Sequence, residues 1–311
     1  MAKRKVIIDT DCGSDDAMAI AMALKEENVE ILLFSCVAGN VEMGRALINT
    51  LATLEMTDTY YPPVYRGCES PLVQEWIGAK ETHGEDGMGD IGLSRTSLKA
   101  AEGRAVEKIA EVLRDSEENS IEILTLGPLT NIAMAMRLYP EEMKRVKSIT
   151  IMGSAGLGYG NVTMSAEYNI YQDPEAADIV FRFGVPVILV GWDACLEEAM
   201  LEEEEIEEIR RSSDLGRFCI DSNRVLMSLN RERFGRDCLD MADPAVAAAF
   251  LYPECIEKEG DFYAEVDLSH GPSYGNVLID VPHFTGMKEN IHLVWKLKPD
   301  LFKRYLIQKL R

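Results

Sequence analysis

Positive charge is scarce in this chain: 32 lysines and arginines stand against 53 aspartates and glutamates, for a formal net charge of −21. That balance opposes phosphate backbones and anionic membrane surfaces, so neither a nucleic acid nor a membrane is expected as a partner. Long apolar runs are also missing. The basic start Met1-Ala2-Lys3-Arg4-Lys5 leads into an apolar stretch that ends at Asp9, too short for a signal-peptide core or a membrane span. A cytoplasmic protein is expected. The seven cysteines (Cys12, Cys36, Cys68, Cys195, Cys219, Cys238 and Cys255) stand singly, without a Cys-x-x-Cys pair. Their odd number and spacing suit a reducing compartment rather than a disulfide framework or a cysteine zinc site. Repeats, low-complexity segments and linker-like stretches are absent, and 47% hydrophobic residues in a chain of 311 support a large core. Residues 1–311 therefore read as one domain.

Negative charge, by contrast, is concentrated near the start. Asp9-Thr10-Asp11-Cys12-Gly13-Ser14-Asp15-Asp16 packs four carboxylates into eight residues, after the strand-like Val6-Ile7-Ile8 and before the helix-like Ala17–Leu24. Carboxylates so close raise one another's pKa unless a cation compensates them, which points to a hard divalent metal with oxygen ligands. Gly13-Ser14 suits a tight turn, with Asp15 or Asp16 capping the helix that follows. One cap needs only one carboxylate. Cys12 lies inside this stretch, but its acidic neighbours suppress a thiolate, so it reads as a packing residue and not as a nucleophile.

Strand-like and helix-like runs alternate along the first two thirds. Strands are expected at Val6–Asp9, Ile31–Ala38, Ile121–Leu126, Ser148–Met152 and Val187–Val190. Helices are expected from about Asp15, over Met43–Met56 and Arg104–Asp115, after Asn131 as far as Tyr139, and after Asp173-Pro174. Near-continuous apolar strands separated by amphipathic helices predict an α/β fold: a mostly parallel central sheet covered by helices on both faces, a Rossmann-like open sheet. Further on, helices are expected over Leu201–Arg211, whose run Glu202–Glu205 forms a solvated face, and over Leu215–Leu229, Ala245–Leu251 and Pro299–Leu310. Short strands are expected near Phe262–Leu268, Asn276–Val281 and Ile291–Trp295.

Open sheets of this kind bind ligands at the carboxyl ends of their strands, which singles out several positions. Asn40 follows Gly39, although a turn residue after glycine is an ordinary role. The Thr125 or Leu126 carbonyl precedes Gly127-Pro128, and Trp192 follows Gly191, where it either stacks on an aromatic ring or packs. Residues Gly67–Ala100 form a Gly-rich stretch without a period, and long loops in compact domains are more often functional than idle. His83, one of four histidines, sits within it as a substrate contact or a structural histidine. The glycines of Gly153–Asn161 lack the Gly-Lys-Ser/Thr of a phosphate loop and read as a flexible substrate-side loop. Asn161, Glu167 and Asn169 fall within nine positions without a basic partner, a composition suited to a polyol such as ribose, with a solvated loop as the alternative. Asn230-Arg231-Glu232-Arg233-Phe234-Gly235-Arg236 is unusually basic for this chain, and Asp243-Pro244 has the form of a helix N-cap with proline at the first position.

Six blocks in order give the chain a resemblance that covers nearly its whole length: Asp9–Asp16; Val37-Ala38-Gly39-Asn40; His83–Gly89; Leu126–Ala133; Ala166-Glu167-Tyr168-Asn169 with Asp173–Ala177; and Asp243-Pro244. Together they resemble the inosine-uridine preferring nucleoside hydrolases, calcium-dependent N-ribohydrolases. Carried over by motif position, the resemblance implies that Asp11, Asp16, the Leu126 carbonyl and Asp243 bind Ca²⁺, with Asp9 supporting them from behind. It makes Asp11 the general base for a metal-bound water, and places Asp15, Asn40, Asn161, Glu167 and Asn169 on the ribose hydroxyls. The expected reaction is hydrolysis of a nucleoside's N-glycosidic bond, and the expected assembly is a homodimer or homotetramer. One departure bears on the leaving group. The inosine-uridine subgroup carries a histidine, and a purine-specific subgroup a tryptophan, where this chain has Ala242. His83, Trp192, Asn230 and Arg233 are the remaining candidates for the base side. Cys12 stands where many members have proline.

Two other functions fit parts of this pattern. A metal-dependent phosphohydrolase would use Asp9 or Asp11 as nucleophile, but Gly13 and Ser14 break the Asp-x-Asp-x-Thr pattern and no basic residue stands beside the loops. A ribose- or nucleoside-binding protein with weak or no turnover would account for Ala242.

Overall fold

The apolar run ahead of the acidic stretch becomes the middle of the molecule. In the computed structural model, which describes residues 3–93 and 96–311, β1 (Arg4–Thr10) carries Val6, Ile7 and Ile8, each fully buried. Val6 and Ile8 join one hydrophobic cluster and Ile7 the other, as alternate residues must when a strand is covered on both faces. Met1, Ala2, Ser94 and Arg95, which fall in the basic start and the Gly-rich stretch, lie outside the described residues. β2 (Val29–Cys36), β3 (Val64–Arg66), β4 (Ile121–Thr125), β5 (Ser148–Met152) and β6 (Val187–Val190) follow. An eight-stranded sheet runs in the order β3-β2-β1-β4-β5-β6, continues with Ile291–Leu297, and ends on Ile256–Phe262. All neighbours are parallel except the last pair.

From β1 the chain moves outward to β2 and β3, then returns across β1 to β4 on its other side. Such a reversal leaves a crevice beyond the carboxyl ends of β1 and β4, where no crossover helix fills the space. Helices α1 (Ser14–Leu24) and α2 (Met43–Thr57), with Ala242–Leu251 and Pro299–Leu310, pack in one cluster. Helices Ala105–Asp115, Thr130–Leu138 and Pro174–Arg182 pack in the other. The expected fold, a mostly parallel sheet with helices on both faces, is the one observed.

Several local expectations change. Asp16 is not the α1 cap: Gly13 occupies that position, and Asp16 reaches back from the first turn to accept from the Gly13 N–H at 2.8 Å. Asp243 likewise lies inside the first turn of the Ala242–Leu251 helix, with Met241 as its cap. The single helix expected over Leu215–Leu229 is two, Asp214–Ser222 and Arg224–Phe234, because Asn223 turns its amide onto the Ser14 and Cys219 carbonyls, each at 2.9 Å. Strand Ile256–Phe262 has no counterpart in the sequence reading. Its charges suit an exposed sheet edge, with Glu259 and Asp261 holding His292 of the neighbouring strand. The strand expected near Phe262–Leu268 shrinks to Ala264–Val266, paired with Val277–Ile279 outside the main sheet.

Candidate active site

Two glycines shape the space around Asp11. A Cβ on Gly39, after β2, would lie 2.0 Å from Asp11 Oδ2, and one on Gly127, after β4, would lie 2.7 Å from Oδ1. Only glycine permits so close a backbone approach on both sides of the carboxylate. Oδ2 accepts from the Asn40 N–H at 2.6 Å, while Oδ1 is buried without any hydrogen-bond partner. Burial, then the charge of Asp16, pushes the Asp11 pKa well above the usual carboxylate range.

Asp15, Asp16 and Asp243 converge beside it. Each offers an oxygen within 4.8 Å of the others', and all three are buried. Burial and the neighbouring Asp15 raise Asp16 to about 7, against hydrogen bonds from Thr10 and Gly13. Burial, then Asp15 and Asp16, holds Asp243 well above its ordinary value. Like charges at this separation are tolerated as protonated acids or with a cation between them. Asp9 turns away toward the sheet: its Oδ1 accepts from Ser35 Oγ and from Asn131 Nδ2, the latter at 2.8 Å, and burial raises it to about 7. Cys12 is fully buried in the hydrophobic cluster, and burial first, Asp16 second, pushes its thiol up, which removes it from nucleophilic chemistry.

A cleft of about 790 Å³ opens over these groups. Asp15, Asn40, His83, Leu126, Asn161, Glu167, Asn169, Trp192 and Asp243 all line it. Asn169 Nδ2 donates to the Leu126 carbonyl at 2.7 Å, and Asn161 Oδ1 accepts from the Tyr168 N–H at 2.9 Å. Glu167 caps the short helix Tyr168–Gln172, accepting from Asn169 N at 2.8 Å, Ser154 N at 3.0 Å and Ile170 N at 3.2 Å. His83 Nδ1 meets Ser14 Oγ at 2.8 Å and lies 3.9 Å from Asp15 Oδ1; burial lowers its pKa although Asp15 opposes this, so its ring is neutral near pH 7. Trp192 meets Tyr159 edge to face, with ring centroids 5.6 Å apart.

Three expected side chains are absent from the lining: Asp11 and Asp16, which are fully buried beside it, and Asn230. Asn230 is fully buried behind the wall of the cleft and holds Asp240 Oδ1 at 2.6 Å. Its expected contact with substrate is replaced by a contact with a residue that does face the cleft. Sequence reasoning passed over Asp240, Trp76 and Tyr168, which also line it. Trp76 and Tyr168 are tied in by hydrogen bonds to the Gly39 carbonyl at 2.7 Å and the Ile77 carbonyl at 2.5 Å. Spatial proximity reveals Asp240 and Trp76, whereas Tyr168 stands in the chain between the expected ribose contacts Glu167 and Asn169.

Glu167 gives the site a pH signature. Burial raises it from 4.5 to about 7 against three backbone donors. The folded protein therefore holds a proton that the unfolded chain has released over this interval, and the stabilisation is complete below the lower value and lost as pH rises through the upper one. Between about pH 5 and 7 the stability of metal-free protein is expected to fall more steeply in the wild type than in Glu167→Gln, by a difference on the order of 1–3 kcal/mol, read as a steeper fall in thermal midpoint. Differential scanning fluorimetry measures both slopes, and equal slopes would rule out the assignment.

With this geometry in view, the comparisons with known proteins agree. The family model for inosine-uridine preferring nucleoside hydrolase matches residues 6–304. The chain belongs to that family. A pyrimidine-specific ribonucleoside hydrolase, RihB, of Escherichia coli K12 is 33% identical over 302 residues, covering 97% of this chain and 95% of the relative. A plant nucleoside hydrolase superposes with a TM-score of 0.91 at 30% identity, covering 99% of this chain and 98% of its own. A purine-preferring ribonucleoside hydrolase from Gardnerella vaginalis does so with 0.89 at 27%, covering 98% of each chain. This nucleoside hydrolase family member is a hydrolase of N-glycosyl bonds. Among the described residues, no helix is long and apolar enough to cross a membrane.

Proposed function

We propose that the protein hydrolyses the N-glycosidic bond of ribonucleosides, releasing ribose and a free base, with Ca²⁺ bound among its buried carboxylates. The observation that carries this reading is the unpartnered Asp11 Oδ1, buried beside Asp16 and the Asp15–Asp16–Asp243 convergence. A buried oxygen without a donor, in an all-oxygen set that includes a backbone carbonyl, fits a hard cation. Asp11, Asp16, Asp243 and the Leu126 carbonyl would hold it, and Asp15 is near enough to join them. Bound there, calcium would polarise a water and engage sugar hydroxyls.

The chain's own groups account for the rest. Asp11, buried between Gly39 and Gly127, takes the proton from the attacking water. Asp15, Asn40, Asn161, Glu167 and Asn169 receive the ribose hydroxyls, orienting C1′ above the carboxylates. As the bond to the base lengthens, positive charge grows on the sugar, and the surrounding carboxylates stabilise it. His83 and Trp192 stand on the base side. A phosphate ester fits this cleft poorly: Lys80 and Arg233 are its only lysine and arginine lining groups among the described residues, and Lys80 is already paired with Glu85 at 2.6 Å.

We extend the reading to the whole chain, residues 1–311, acting as one catalytic unit in the cytoplasm as a homodimer or homotetramer. Light scattering measures the assembly. The activity is tested by incubating the protein with calcium and a panel of purine and pyrimidine ribonucleosides and assaying free ribose. Turnover of at least one nucleoside at an ordinary enzyme rate, on the order of 1–10³ s⁻¹, is expected. Release of phosphate from p-nitrophenyl phosphate without ribose from any nucleoside would replace this reading by the phosphohydrolase one. Tight ribose binding without turnover would leave a binding protein.

A further inference from the structure

Asn161 reaches the cleft at the end of the Gly153–Asn161 loop, which connects β5 to the helix Tyr168–Gln172. Burial does not hold this loop in place. From Leu157 to Met164 its large apolar side chains, Leu157, Tyr159, Val162 and Met164, are all exposed. Its first turn is strained as well: Ser154 has a left-handed backbone, with φ at +69°, a conformation that a non-glycine residue keeps only where its surroundings fix it. Polar ties do the fixing. The Ser154 carbonyl accepts from the Trp192 N–H at 2.9 Å, its N–H donates to Glu167 Oε2 at 3.0 Å, and its Oγ accepts from the Gly156 N–H at 3.0 Å.

Asp193, the residue after Trp192, ties the crown of the loop. Its Oδ2 accepts from the Leu157 N–H at 2.8 Å, while Oδ1 is buried without a hydrogen-bond partner. A Cβ on Gly156, whose φ is +64°, or on Gly191 would overlap Oδ1, so two glycines make room for one carboxylate. Burial raises Asp193 to about 7 against the Leu157 and Ala194 N–H groups. An unpartnered buried oxygen opposes folding, which marks a position serving function more than stability. Asp193 does not itself line the cleft, whereas Trp192 and Asn161, on either side of this contact, both do. Tyr159, two residues beyond Leu157, packs edge to face on Trp192.

We propose that Asp193 is a positioning residue for the sugar: by holding the Leu157 N–H and filling the space beside Gly156 and Gly191, it fixes the Gly153–Asn161 loop against the Trp192 segment and so delivers Asn161 to ribose. The inference rests on the nucleoside hydrolase reading and adds to it a residue outside the cleft that sets substrate binding. The loop is the same for every leaving base, so the effect belongs to the ribosyl half of any substrate.

The test separates KM from kcat for the ribonucleoside that the wild type turns over fastest. Asp193→Ala is expected to raise KM by about tenfold or more while kcat stays within about threefold, the mark of binding lost equally from ground and transition states. Asp193→Asn keeps an oxygen for the Leu157 N–H, so its KM is expected to lie nearer that of the wild type than that of Asp193→Ala. Gly156→Ala, whose Cβ would overlap Oδ1, is expected to raise KM on its own. Combined with Asp193→Ala, it is expected to raise KM by less than the product of the two single effects, because both act on one contact. A purely structural role would instead lower the thermal midpoint and leave KM unchanged; that result, or effects that multiply in the double variant, would overturn the proposal. If the wild type binds ribose without turnover, calorimetry reads the same variants, and Asp193→Ala is expected to raise the ribose Kd by about tenfold. Turnover with KM unmoved by any of these substitutions defeats this inference alone. Neither turnover nor ribose binding in the wild type defeats the hydrolase reading and the inference with it.

Discussion

Asp11→Asn is expected to reduce kcat for nucleoside hydrolysis by about a thousandfold or more while raising the stability of the metal-free protein. The first effect follows from position. Asp11 lies between the backbones of Gly39 and Gly127, too close for any side chain on either, so no neighbour can move in to replace it. General-base catalysis alone is worth about 10²–10⁴-fold, and loss of a ligand charge adds to that. The second effect follows from electrostatics. Asp11 shares its burial with Asp16 and Asp15, each of which raises its pKa, so replacing one member by a neutral amide removes repulsion from the metal-free fold. Asparagine preserves the acceptor that meets the Asn40 N–H, which Asp11 engages at 2.6 Å. Ribose release and thermal denaturation read the two effects separately. A loss of less than about tenfold in kcat would remove Asp11 from the role of base.

The same opposition between stability and function explains which parts of this molecule were legible in its sequence. The sheet was readable because its signal is additive: Val6, Ile7 and Ile8, and the runs after them, are apolar on both faces, and parallel strands covered by helices leave that mark. The Asp9–Asp16 motif was readable for the opposite reason, since four buried carboxylates break every rule of a stable core. Asp173 was read as a helix start, and its carboxylate does accept from the Ala176 N–H at 3.1 Å. Strand Ile256–Phe262 escaped because an edge strand carries charge toward solvent and loses its apolar alternation. Asn223 escaped because the bond that splits its helix goes to Ser14, 209 residues away. Asp240 is of the same kind. Its place depends on Asn230 and on the cleft, neither of which a spacing rule connects to it.

Withdrawal of calcium is the other change expected to have a very large effect. After exhaustive chelation, ribose release should fall by at least about a hundredfold, because on the proposed reading the carboxylates would be left protonated or mutually repelling without a cation between them. Calcium should restore activity and magnesium should not. The proposed donor set is irregular: Asp11 from the turn after β1, Asp16 from α1, Asp243 from the helix Ala242–Leu251 and the Leu126 carbonyl just past β4. Magnesium demands near-octahedral geometry and keeps most of its water, whereas calcium accepts six to eight oxygens in uneven arrangements. Stability supplies a reading independent of turnover. A ligand that binds only the folded state at a hundred times its Kd stabilises by about 2.7 kcal/mol, which appears as a rise in thermal midpoint. In Asp243→Asn that rise should shrink together with activity, since Asp243 reaches the site from the opposite end of the sequence and joins it only in the folded chain. Undiminished ribose release after chelation, with no change in midpoint on adding calcium, would show that the buried carboxylates work as acids without a metal. Such a result would shift the weight of catalysis onto their raised pKa values instead.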